Sequence, residues 1–376
     1  MGFYVFLFIF ILLLSFIDLV SIKEYVRQIL LVIYCIIMIF ISTIRWNQTQ
    51  GDWQRYYDFF TQNDRLEQFF DRGWEPAYVL LNYCTKVLTD EYVLFMLTAA
   101  SIVIITKVKG IYKLTPYPFL TLLLNFANQS GDIIVIRQTF AFAITLYSFI
   151  YIIDRDKIKF ILLVLLASLF HVSAVMFLIA YWIYDLKITK RTYAYIFTLA
   201  TIFSFIMIQG DALNVIIGYL PADLSLTFKL LKYQTEYEDL ATGGNVEAGV
   251  RSFRDLSTLF FGGVVRRASL LPILYCAKKY VKSIYTKMYG GLLNVYCVGV
   301  ITYVLFYNIS PSFANRGGYY FTCVEIILIP FAIMSISAVY RRMIAYLILV
   351  IYVSGKFFIP FVLGSGMEVP FLTIFD

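Results

Sequence analysis

This chain is poorest in the residues that hold metals and run acid–base chemistry: it has one histidine and five cysteines in 376 residues, and 15% of its residues are charged. Cys35, Cys84, Cys276, Cys297 and Cys323 lie within or beside apolar stretches and none stands in metal-ligand spacing, so they read as packing residues. With one imidazole and no cysteine pairs, a protein-bound zinc or haem is not expected, and neither is any other cofactor. Linkers rich in proline or serine are missing, as is any repeat of fixed length, and inverted halves are not visible. The chain therefore reads as one integral membrane domain over 1–376. Met1 to Val20 lacks a basic region before its apolar run and a small-residue cleavage site, which predicts a retained first helix and not a signal peptide.

What is present in abundance is apolar and aromatic surface. Hydrophobic residues make up 61% of the chain, aromatics 19%, and the mean hydropathy is +0.78. Such a composition describes an all-α polytopic membrane protein. Runs long enough to cross a bilayer, about 17–25 residues, fall near 3–20, 28–45, 91–106, 115–129, 133–153, 192–210, 257–277, 290–309, 317–338 and 343–363. The stretch 158–184 is apolar but has His171 and Ser173 at its middle, and is expected to form two short helices meeting there, as a hairpin or broken span. Pro76 to Leu88 extends the third span or lies in the interface. The sum is about 11–12 transmembrane helices.

Lys and Arg collect in alternate loops: Lys23 and Arg27; Lys107, Lys109 and Lys113; Arg155, Lys157 and Lys159; Lys187, Lys190 and Arg191; Lys278, Lys279, Lys282 and Lys287; Arg341 and Arg342. The positive-inside rule makes these cytoplasmic. The insertions 46–75 and 211–256, richer in Asp and Glu than in Lys and Arg, then face outward together with both termini, provided that 158–184 enters and leaves on the cytoplasmic side. The formal net charge of +7 thus reports topology, and nucleic acid is not an expected partner. In the second insertion, the amphipathic Leu213 to Leu220 and the polar run Thr235 to Gly249 suggest a helix, a flexible loop and a helix.

Ionisable residues within or beside the apolar runs are costly and mark functional paths. Here they are Arg45, Arg137, His171, Arg266, Arg267, Glu325 and Lys356, gathered toward the outer leaflet. A conduit would carry charge through both leaflets, so this asymmetry favours a one-sided enzyme site over a transporter or lipid-linked sugar flippase. The first insertion, Arg45-Trp46-Asn47-Gln48-Thr49-Gln50-Gly51-Asp52-Trp53-Gln54-Arg55-Tyr56-Tyr57 and later Trp74-Glu75-Pro76, alternates rings with amides and carboxylates. That pattern suits sugar binding; the competing reading is an aromatic belt at headgroup depth.

A further series is Arg137-Gln138-Thr139-Phe140-Ala141, then a basic turn, then Phe170-His171-Val172-Ser173-Ala174. With Gly51-Asp52-Trp53…Tyr56-Tyr57, Glu75-Pro76-x-Tyr78, and Asn315-Arg316 leading into Tyr319-Tyr320-Phe321, it resembles the EpsG family of bacterial polysaccharide polymerases, relatives of the Wzy O-antigen polymerases. The resemblance implies a GT-C-like layout in the cytoplasmic (inner) membrane. It also implies an enzyme that joins undecaprenyl-diphosphate-linked oligosaccharides, donor and acceptor, into O-antigen, capsule or exopolysaccharide on the outer face, with a chain-length regulator as a protein partner. The motif positions Asp52, Trp53, Tyr56, Tyr57, Glu75, Gln138, Tyr319 and Tyr320 become substrate-binding candidates. Family members often carry Gly-Thr-Asp where this chain has Gly51-Asp52 directly, which leaves the role of Asp52 open.

Transfer from a glycosyl diphosphate needs cations to stabilise the leaving diphosphate, and arginine does this with a bidentate fork. Arg137, Arg316, Arg266 and Arg267 are the candidates, each with snorkelling to headgroups as the alternative. A base for the acceptor hydroxyl fits His171, which otherwise bonds a carbonyl freed at the helix break. Glu325, about two turns inside its span, is either an arginine partner or the base itself. Lys356 binds phosphate or pairs with Glu325, and Arg45 completes the binding set. Asp52 and Asp132 could ligate a metal, yet arginines suffice for a diphosphate, so metal independence is expected. A ligase, or an O-acyltransferase using His171, is the alternative enzyme class.

Overall fold

A computed structural model describes residues 2–20, 22–46, 52–71, 73–129, 137–208, 218–219, 253–307, 311–362 and 372–374. Asp132, Gly51 and most of the second insertion, including Thr235 to Gly249 and all but two residues of Leu213 to Leu220, lie outside these, as does the side chain of Asp52. The helices are α1 (Gly2–Ser15), α2 (Glu24–Ile44), α3 (Asp52–Thr61), α4 (Leu66–Asp71), α5 (Pro76–Leu88), α6 (Tyr92–Leu114), α7 (Pro118–Gln129), α8 (Arg137–Ile153), α9 (Lys157–Ser168) and α10 (Ala180–Ile183). They continue with α11 (Lys190–Ile208), α12 (Phe253–Ala268), α13 (Leu271–Ala277), α14 (Ser283–Phe306), α15 (Pro311–Thr322), α16 (Glu325–Met334) and α17 (Val339–Val362). The strands β1 (Arg45–Trp46) and β2 (Leu372–Thr373) form one antiparallel pair.

Among the described residues seven segments are long and apolar enough to cross a bilayer: Gly2–Leu19, Glu24–Ile44, Tyr92–Leu114, Phe260–Ala277, Ser283–Phe306, Phe313–Met334 and Val339–Ile359. Pro118–Asn128, Arg137–Ile153 and Val172–Ile183 are shorter apolar helices. The protein is an all-α, multi-pass membrane protein. Lipid-facing surface is plain on α2, where Ile29, Val32, Ile36 and Phe40 are exposed, and on α17, where Ile344, Leu347, Ile348 and Ile351 are.

Two compact units divide the chain, Met1–Leu178 with Ile329–Asp376, and Ile179–Leu328. In the first, Phe8 stacks on Phe357, and Phe357 on Phe126, tying α1, α7 and α17. Ser15 and Tyr346 share a hydrogen bond of 2.7 Å. Asp18 accepts from the Leu120 amide at 2.8 Å, so a carboxylate remote in sequence satisfies one of the amides that α7 leaves unpaired at its start. Helices α6 and α8 approach at Gly110, where an added Cβ would stand 3.2 Å from the Tyr147 backbone. In the second unit, α14 and α15 meet at Gly299, where a Cβ would stand 2.7 Å from Phe321 and 3.0 Å from the Thr322 backbone nitrogen. Small residues at such crossings let apolar helices pack by close contact, the main attraction left when solvent is lipid.

Two expected continuous spans are interrupted, and the break expected at His171 is present. The span 257–277 breaks after Ala268, because Pro272 lacks an amide and its ring would collide with the carbonyl four residues back. The span 317–338 tightens at Cys323–Val324, so Glu325 opens α16 and does not sit two turns inside one unbroken helix. Between α9 and α10 the chain reverses at Leu169–His171. The Phe160 and Phe177 rings lie 5.9 Å apart, whereas 17 residues of straight helix would separate them by about 25 Å. Within the first unit, the stretch 158–178 thus folds back on itself with His171 at the tip.

Candidate functional site

In the first unit, Pro76 is the first residue of α5 and holds Glu75 extended, at φ −64° and ψ 137°. Arg137 opens α8. Its Nη1 donates to Glu75 Oε2 at 2.5 Å, and its guanidinium carbon lies 4.5 Å from the centre of the Trp74 ring. Phe59 covers that ring, stacked at 4.0 Å, and Tyr56 hydrogen-bonds Arg137 as well. Arg137 keeps 22% and Glu75 16% of their side-chain surface, so the charge pair is stronger than one in open water. Arg137 Nε has no hydrogen-bond partner among the described residues.

The hairpin tip lies beside this pair. Leu169 accepts a hydrogen bond from the Ala77 amide at 3.0 Å, two residues from Glu75. Phe170 stacks on Phe140, one turn after Arg137, with centroids 4.7 Å apart and planes at 3°. His171 Nδ1 and Ser173 Oγ are 2.7 Å apart. When Nδ1 carries the proton and donates to Ser173, Nε2 holds the lone pair and is the basic nitrogen.

The aromatic residues of the first insertion stack chiefly on one another. Trp53 and Tyr57 are parallel at 5.0 Å, Trp46 meets Trp53 edge-on at 4.8 Å, and Tyr92 closes on both Trp53 and Tyr57. Trp53 and Tyr56 are buried, and Tyr57 is half-buried. The cluster reaches Arg45, which is buried on β1 and hydrogen-bonded to Tyr4. Gln138 is half-buried next to Arg137, and Lys356, on α17, lies 3.3 Å from the Tyr352 hydroxyl.

The second unit holds another polar group. The Arg267 guanidinium carbon sits 3.6 Å from the centre of the Tyr303 ring; its Nη2 donates to Asn315 Oδ1 at 2.8 Å and its Nη1 to the Gly263 carbonyl at 3.2 Å. Gly263 has no Cβ because Tyr303 occupies the space. The Tyr296 hydroxyl donates to the Arg267 carbonyl at 2.7 Å and lies 3.5 Å from Glu325 Oε2. Glu325 is buried, Tyr320 fully so, and Tyr319 partly; Arg266 and Arg316 are exposed. No group of three or more potential metal ligands occurs among the described residues.

Thus Arg137, Glu75, Tyr56 and the His171 hairpin are brought together, as are Arg267, Tyr296 and Glu325. Asn315, Tyr296 and Tyr303 are not site candidates in the sequence, and Trp74 enters there only within the ring-and-carboxylate pattern of the first insertion. Trp74 and Asn315 flank Glu75 and Arg316, and that adjacency was the available signal; the two tyrosines are hidden among 31. Chemically, the first cluster offers a guanidinium paired with a carboxylate, next to the hairpin that carries the imidazole.

Comparison with curated proteins and with solved structures gives no match. The EpsG family model matches residues 28–371. That span takes in most of α2, all of α3 through α17 and every charged candidate named above, and the chain belongs to the EpsG family.

Proposed function

We propose that the protein is a polysaccharide polymerase that joins undecaprenyl-diphosphate-linked repeat units on the outer face of the bacterial cytoplasmic membrane. The observation that carries this reading is the Arg137–Glu75 pair set beside a hairpin tip bearing the chain's one histidine. Family membership supports a polymerase-type role in polysaccharide biosynthesis.

In the proposed reaction the bond between the anomeric carbon and the diphosphate oxygen breaks, and its electron pair leaves with the diphosphate. The acceptor sugar oxygen forms the new bond to that carbon, and its proton passes to His171 Nε2. Arg137 meets the leaving group: Glu75 orients the guanidinium at rest, and a diphosphate competes for the same donors. Donors poised where charge develops lower the barrier most. Ser173 fixes the imidazole so that its basic nitrogen faces away from Nδ1.

The test is the length distribution of surface glycan in cells lacking the gene, complemented with wild type, His171→Ala or Arg137→Ala at matched membrane levels. Glycan restricted to a single repeat unit, restored by wild type alone, supports polymerisation at this cluster. Loss of all surface glycan would instead indicate ligation or flipping, and full-length glycan missing only its acyl groups would indicate an O-acyltransferase. Wild-type lengths with His171→Ala would remove the histidine from the mechanism.

A further inference from the structure

Trp74, between α4 and α5, gathers more positive charge than Glu75 balances. The Arg137 guanidinium carbon lies 4.5 Å from the Trp74 ring centre, and that of Arg55, on α3, lies 5.7 Å from it. The two carbons are therefore no more than about 10 Å apart, near enough for two phosphates joined by one bridging oxygen to lie between the forks, with hydrogen bonds of about 2.7–2.9 Å to each. Helix α3 holds Arg55 in place: Tyr56 meets the Trp74 ring edge-on at 5.2 Å, and Phe59, one turn beyond Arg55, stacks on it. Arg137 has Glu75 as its partner. Arg55 is exposed and pairs with no carboxylate among the described residues; Asp58, three positions along α3, accepts from Gln54 instead. A ring face attracts a cation, yet it neutralises none of the charge.

We propose that Arg55 is a second ligand of the lipid-linked diphosphate, taking one phosphate while Arg137 takes the other, and that Trp74 is the positioning residue that spaces the two. This rests on the glycosyl-transfer reading above and deepens it by selecting a diphosphate over a monophosphate. One fork satisfies one phosphate; two forks held on one ring select a pair. Before transfer a sugar–lipid diphosphate carries one charge on each phosphate, and two guanidiniums match them. When the bond to the anomeric carbon breaks, a further negative charge stays on the departing oxygen, so both arginines hold the leaving group more strongly in the transition state than at rest.

The test is native mass spectrometry of the full chain in detergent, titrated with undecaprenyl diphosphate or undecaprenyl phosphate, which share a tail and differ by one phosphate. Wild type should take up the diphosphate at a concentration about 10- to 100-fold lower than the monophosphate, the range for a hydrogen bond to a charged group. Arg55→Gln keeps the stem beside the ring and removes the charge. It should cut that preference about 10-fold and leave the monophosphate, which still reaches Arg137, bound as before, with an unchanged melting temperature. Arg55→Lys should keep part of the preference, since it retains the charge without the fork. Arg65→Gln, which removes another exposed cation of the same insertion, should leave the preference intact. No preference in wild type, an undiminished preference or an equal loss of both lipids in Arg55→Gln, or a matching loss in Arg65→Gln would each overturn the proposal. Binding is read without turnover, so unchanged glycan length in cells lacking the gene would sink the polymerase reading alone.

Discussion

Arg137 serves two demands that oppose each other: as half of a shielded ion pair it orders the start of α8, and as the proposed diphosphate ligand it must exchange that partner for substrate. Arg137→Ala should lower turnover about 100- to 1000-fold, the scale seen when a transition-state donor is removed. Arg137→Lys should recover only part of it, because an ammonium lacks the fork and stacks less well on Trp74. Glu75→Gln keeps the shape and removes the counter-charge; it should lower stability by about 2 kcal/mol, the range for a hydrogen bond to a charged group. Thermal unfolding in detergent reads the second effect and glycan length the first. In the other unit, Tyr296→Phe removes the donor to the Arg267 carbonyl at the α12–α13 break. It should cost about 1–2 kcal/mol, and an unchanged melting temperature would show that water replaces the bond.

At the scale of elements, the glycine contacts set how closely helices approach. Gly299→Ala must push α15 away because the obstruction includes backbone, which does not rotate aside; a loss of about 1–3 kcal/mol is expected. Gly262→Ala, with open space around it, should be neutral or slightly stabilising through helix propensity. A denaturation series on the two variants compares them directly. The hairpin shows how far element structure was legible. His171 and Ser173 in the middle of an apolar run marked the break, since polar groups there need partners, and the reversal was expected from the charge pattern of the flanking loops. The α12–α13 break was equally open to reading from Pro272 but was passed over, because an apolar run of spanning length hid it. The tightening at Cys323–Val324 left no mark in the residues themselves; it is visible only as hydrogen bonds shortened to three-residue spacing there.

At the scale of the whole molecule, the proposed orientation sets the Lys-rich loops on the cytoplasmic side and the first insertion outside. In a variant with its native cysteines replaced, Arg55→Cys should react with a membrane-impermeant maleimide in intact cells, and Lys113→Cys only after permeabilisation. The reverse pattern would invert the topology and remove the outer-face site.

Sequence alone determined the class, the family and most helices of this protein, because those depend on quantities summed along the chain: apolar length, charge in alternating loops, and motifs in a fixed order. It also named Arg137, Glu75 and His171 as candidates. Tertiary structure decided their company. Glu75 reaches across 62 positions to Arg137, Leu169 binds the start of α5, and the insertion's aromatic residues spend much of their surface on one another. Such pairings depend on which helices become neighbours, and that follows from close packing at a few glycines, which local sequence pattern does not encode.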